Sequence, residues 1–146
     1  MNNKNNEKIF EKKKLANGLY LMMSFKSIYT AGDRYQVVFR AAVDVEIKDS
    51  YFNYEVLIDL NPSNARKLLG DKTSFEYSKT RNFVAEDEKD SLLKDMKDQF
   101  LESSITYLSS QAFPMKLIKR NYIKAEQEEM IRLKKEKYFS STFNPD

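Results

Sequence analysis

Residues 35–47, YQVVFRAAVDVEI, set an apolar side chain at every odd position: Tyr35, Val37, Phe39, Ala41, Val43, Val45 and Ile47. Gln36, Arg40, Asp44 and Glu46 stand at even positions, with Val38 and Ala42 between them. Successive side chains of a strand point to opposite faces, so the run predicts one half-buried antiparallel strand with its odd face inward. At the usual rise it would extend about 43 Å, longer than an ordinary strand, so the sheet must coil, bend or carry a bulge here.

On the N-terminal side, Leu19, Leu21, Met23 and Phe25 share one face of an extended segment over 19–30, and Ala31-Gly32-Asp33 supplies a turn. On the other side Asp49-Ser50 turns the chain. Phe52, Tyr54, Val56, Ile58 and Leu60 then alternate against Asn53, Glu55 and Asp59, which predicts a third strand over 52–60. A fourth, over 74–83, carries Phe75 and Tyr77. Residues 7–16, with Ile9, Phe10 and Leu15, predict a short helix closed by Asn17-Gly18. Asn61-Pro62-Ser63 starts another short helix over 65–69, ended by Gly70. Glu86-Asp87-Glu88 puts negative charge where a long amphipathic helix to Ala112 would begin. Leu93, Met96, Phe100 and Tyr107 form one stripe of it, and Leu101, Ile105, Leu108 and Ala112 the next. Pro114 breaks that helix, and a more polar one follows over 116–138 with a narrow seam that includes Ile118, Tyr122, Ile123, Met130 and Leu133.

The fold read from these elements is α+β: a curved antiparallel four-stranded meander, a long amphipathic helix packed on it, and a second, polar C-terminal helix. The chain reads as one domain over 1–146, with 1–6 and 140–146 disordered and 116–138 a protruding helix; it shows no internal repeat and no linker.

Composition excludes several chemistries. The 146 residues suit a single domain, and 41% hydrophobic residues allow a core. With no Cys and no His there are no disulfides, no thiol nucleophile, no imidazole acid–base group and no Cys/His zinc site. Three glycines, at 18, 32 and 70, cannot build a glycine-rich phosphate loop. Neither a metal nor a cofactor is expected. No apolar run approaches the ~18 residues of a transmembrane segment. Leu15 to Met23 follows Lys12-Lys13-Lys14 as the apolar part of a signal peptide would, but Asn17-Gly18 interrupts it and no small-residue cleavage site follows closely. A cytoplasmic protein is expected; a chain without Cys would also suit a secreted or particle-borne protein.

Asp44-Val45-Glu46-Ile47-Lys48 is the one catalytic pattern worth weighing. An acidic-x-Lys triplet at a strand end is similar to metal-dependent nuclease cores, where two carboxylates hold a divalent cation and a lysine activates water. Such a core wants another acidic residue nearby. Asp33 would lie at the far end of the same strand, and only Glu55, on the predicted next strand, could approach. The alternation already turns Asp44 and Glu46 to solvent, so the expectation is a non-enzyme.

Charge is segregated. Residues 1–30 carry +4, residues 31–85 balance, residues 86–112 carry −4 and residues 113–146 carry +3, giving the net +3. The last helix interleaves Lys119, Arg120, Lys124, Arg132, Lys134, Lys135 and Lys137 with Tyr122, Met130 and Leu133. That pattern suits a partner surface, and Glu128 to Arg132 reads as an i,i+4 ion pair. Three functions follow. The first is a non-catalytic interaction or assembly protein that binds a protein partner or forms a homo-oligomer. The second is a nucleic-acid-binding accessory protein using its basic N- and C-terminal segments. The third holds an apolar ligand between curved sheet and helix.

Overall fold

The sheet is assembled in chain order. In the computed structural model, which describes residues 6–143, β1 (Asn6–Lys14) pairs antiparallel with β2 (Tyr20–Ala31) from Asn6 opposite Ile28 to Lys14 opposite Tyr20. β2 pairs antiparallel with β3 (Arg34–Glu46), with Leu21 opposite Val43 and Phe25 opposite Phe39. β4 (Lys72–Ala85) completes an open antiparallel sheet of order β1-β2-β3-β4. The register of β2 on β3 shifts between Tyr29 and Ala31, an irregularity of the kind that so long a strand demands. The chain forms two compact units, one from the residues up to Asp44 with Ser74–Phe113, the other from Val45–Thr73 with the residues from Pro114 onward.

In the first unit the odd face of β3 is buried as its alternation requires: Tyr35, Val37, Phe39, Ala41 and Val43 join Leu21, Met23 and Phe25 of β2. Helix α2 (Lys89–Ser109) adds Leu93, Met96, Phe100 and Leu108. The rings interlock. Phe39 lies 5.4 Å from Phe25, 5.5 Å from Phe100 and 6.1 Å from Tyr77, and Phe100 lies 4.8 Å from Tyr77, all in tilted or edge-on geometry. Such contacts favour the positive ring edge against a negative face. Lys97 on α2 meets Glu11 of β1 at 2.7 Å. Asn17, in the β1–β2 turn, donates through Nδ2 to the carbonyls of Leu108 and Ser110 at the end of α2, both at 2.8 Å, and accepts from the Leu19 amide.

In the second unit, two 3₁₀ segments, Asp49–Asn53 and Glu55–Leu57, lead to α1 (Pro62–Leu69). Asn61 caps α1 by accepting from the amides of Ser63 and Asn64, and Pro62 occupies the first turn, where no amide donor is needed. Arg66 donates to the Ile47 carbonyl and pairs with Asp49. Asn121 of helix α3 (Phe113–Phe143) donates to Thr73 at 2.8 Å. Val45, Ile47, Phe52, Leu57, Ala65, Met115, Leu117 and Ile118 are buried.

Several expected elements differ. Residues 7–16 form no helix: the stretch up to Lys14 belongs to β1, Leu15 and Ala16 lie at the turn, and pairing with the free edge of β2 outweighs a weak local helical preference. Asn17-Gly18 is accordingly a hairpin turn, with Gly18 at φ +88°. Residues 52–60 form no strand. A relay of i→i+3 bonds, from Tyr51 to Lys48, Tyr54 to Tyr51, Leu57 to Tyr54 and Leu60 to Leu57, satisfies this backbone locally, and no sheet neighbour is needed. β4, starting at Lys72, therefore follows β3 directly in the sheet. The long helix begins after a 3₁₀ turn at Glu86–Glu88 and stops at Ser109. Pro114 lies in the first turn of α3 instead of between helices. Of the segments expected to be disordered, 140–143 belong to α3, Asn6 belongs to β1, and 1–5 and 144–146 lie outside the described residues.

Candidate interaction surfaces

All of the site residues read from the sequence lie on α3. Lys119 and Tyr122 are half-buried, and Arg120, Lys124, Met130, Arg132, Leu133, Lys134, Lys135 and Lys137 are exposed. From Ile131 to Ser140 every residue is exposed, whichever way it points from the helix axis. Met130, Ile131, Leu133, Tyr138 and Phe139 are each at least half exposed. Ile123, Met130 and Lys137 recur every seven residues, each followed three positions on by Glu126, Leu133 and Ser140 respectively, so they share one face. Ile131 and Tyr138 make a second stripe about 100° further round.

The charged residues of this helix divide into two sets. Arg132 is engaged within the helix, with Glu129 at 2.5 Å and Glu136 at 2.5 Å. This corrects the expected Glu128 pair: the guanidinium bridges the carboxylates three residues before and four after it. Its hydrogen bond holds Glu129 below the usual carboxylate range, and Glu129 in turn raises Arg132. Burial, and then the Glu126 carboxylate, raise the Tyr122 phenol. Lys119, Arg120, Lys124, Lys134, Lys135 and Lys137 have no ion-pair partner among the described residues.

The acidic triplet is not gathered into a site. Asp44 accepts from Ser74 Oγ at 2.5 Å, Glu46 is exposed, and Lys48 lies 5.9 Å from the centre of the Tyr51 ring. Glu55 lies in a 3₁₀ turn, so no neighbouring strand carries it toward Asp44. Among the described residues no three acidic side chains cluster as a cation would require. No helix among them is long and apolar enough to cross a membrane.

The space between sheet and α2 is filled by the aromatic cluster, and two cavities open instead on the other sheet face. One, of about 450 Å³, includes Phe10, Met22, Ser24, Arg40, Ala42 and Glu76 in its lining. The other, of about 220 Å³, is lined by Lys8, Ser24, Lys26, Ile28, Gln36, Val38, Arg40 and Thr80. Sequence reasoning missed this face because strand register alone brings Lys8, Lys26 and Arg40 together; once β1 is paired, Lys8 opposite Lys26 is the signal. No protein-family model, curated protein or solved structure significantly matches the chain.

Proposed function

We propose that this is a non-catalytic assembly protein that self-associates through the distal half of α3. The observation that carries this reading is the uninterrupted exposure of Ile131 to Ser140 with its large apolar side chains. A lone helix of this length is marginal in water and gains most of its stability by burying an apolar face. The charge pattern favours a second copy in parallel. With Ile123 and Met130 at a positions and Leu133 at a d position, Glu129 falls at g and Lys134 at e. Parallel pairing sets Glu129 against Lys134 of the second copy, twice by symmetry. Antiparallel pairing would oppose glutamate to glutamate and lysine to lysine. Lys137 at an a position limits the number of helices that can share the seam. Light scattering on the full chain tests this: the expected mass is a multiple of 17.2 kDa, reverting to monomer in the double variant Met130→Glu/Leu133→Glu. A monomer at all micromolar concentrations would refute the reading.

A further inference from the structure

Register arranges the uncovered face of the sheet in rows: Lys12–Met22–Ala42, Phe10–Ser24–Arg40 and Lys8–Lys26–Val38. The middle of this face is low, with Ser24, Ala42 and Val38 on the two interior strands. Phe10 and Lys8 rise along β1, and Glu76 and Thr80 along β4. The smaller cavity has three cations, three neutral polar side chains, two apolar ones and no carboxylate in its lining. Lys8, Lys26 and Arg40 have no ion-pair partner among the described residues. Lys8 directly opposes Lys26, and like charges placed so are destabilising. Lysines on β1 alone would have an ordinary explanation, since charge on an edge strand deters pairing with other chains. That explanation does not reach Lys26 and Arg40, which lie on interior strands. An anion between the three cations would relieve the repulsion.

The larger cavity adjoins this cationic one through Ser24 and Arg40 and offers Met22 and Phe10, which is 64% exposed and carries the Lys8 ammonium 5.0 Å from the centre of one ring face. A ligand that fills both needs a compact anion joined to a flat apolar ring. We propose that this face binds single-stranded nucleic acid, with a backbone phosphate between Lys8, Lys26 and Arg40 and a base stacked on Phe10 beside Met22. Successive rows lie about 7 Å apart along the strands, and each carries at least one cation, so an extended nucleotide chain can follow them phosphate by phosphate. A carboxylate-rich peptide would satisfy the cations and leave the aromatic cavity empty. A duplex keeps its bases stacked inside and gives Phe10 nothing to face.

The test is fluorescence anisotropy of the full chain with a labelled oligouridylate of about twelve nucleotides, within the usual single-strand site sizes. Binding should weaken as salt rises. Lys26→Ala/Arg40→Ala should weaken it at least tenfold and flatten the slope of log K against log salt by about 0.7, the amount expected for one lost phosphate contact on a single strand. Phe10→Ala, which removes an exposed ring, should weaken it about fivefold or more without lowering the melting temperature. Lys67→Ala/Lys116→Ala, which removes two exposed cations on other elements, should leave it unchanged, and this separates the site from a general attraction to surface charge. Absence of binding at low salt overturns the proposal. So does equal affinity for polyglutamate, for a duplex of the same length or for free uridine monophosphate, or indifference to Phe10→Ala.

Discussion

Phe39 has no exposed surface and touches rings from β2, β4 and α2. Truncating it empties a site bounded by three other aromatics, and Phe39→Ala should cost about 3–5 kcal/mol in denaturant unfolding. Phe100→Ala should cost a similar amount, and a loss of under about 1 kcal/mol at both, the scale of surface changes, would mean that the odd face is not the core. Phe83 presents the opposite case. It is 80% exposed and holds φ +57°, a conformation that favours glycine. Its ring therefore gains little from burial while its backbone is strained, and Phe83→Gly should raise stability by roughly 1 kcal/mol, or at least cost nothing. At the surface of α3, Arg132 depresses the titration of Glu129. A carboxylate whose folded pKa is lowered contributes its stabilisation above the unfolded pKa and loses it as pH falls through the folded one. In an NMR titration the Glu129 carboxylate should thus protonate at lower pH in the unmodified chain than in Arg132→Ala.

β1 is an edge strand whose Ile9 and Phe10 are both exposed, whereas β3 lies between two strands with its odd face buried. Local opening of β1 exposes little apolar surface, so its amides should exchange with solvent much faster than those of β3. Equal protection would show that β1 is held by more than pairing and the Lys97–Glu11 contact. The same contrast explains what the sequence discloses. β3 is legible because its odd face is dry while its even face, apart from the buried Val38, is partly or fully wet, which writes period 2 into Tyr35 to Val45. α2 was legible through Leu93, Met96 and Phe100, which recur at helical spacing and are buried. β1 was not, because neither face is dry: Ile9 and Phe10 are adjacent and exposed, and only the partner strand makes the segment extended. Residues 52–60 show period 2 for a different reason. Phe52 and Leu57 are the buried pair, five residues apart in 3₁₀ geometry, while Tyr54 and Ile58 are exposed. The cations of α3 were visible as a composition. The engagement of Arg132 was not, since Glu128, Glu129 and Glu136 all lie within reach along the chain.

At the scale of the molecule, no side chain described from Lys119 to Ser140 of α3 is buried. Phe113, Met115, Leu117 and Ile118 are buried, whereas nothing from Met130 to Ser140 is. The distal part of α3 therefore contributes almost no apolar burial to the stability of one copy, and its sequence carries the apolar side chains regardless. A chain ended after Glu129 should fold and unfold at low concentration as the full chain does, within about 0.5 kcal/mol, as for other changes at exposed positions. The two should part as concentration rises. Association stabilises the folded state by mass action, so the full chain should melt at increasing temperature with increasing concentration. The shortened chain should not, and it should lose only the association. Differential scanning calorimetry over a range of concentrations measures both effects at once. If the shortened chain melts much lower at every concentration, the distal helix belongs to the fold of the single copy. If the full chain melts at the same temperature throughout, its exposed apolar residues do not meet a second copy.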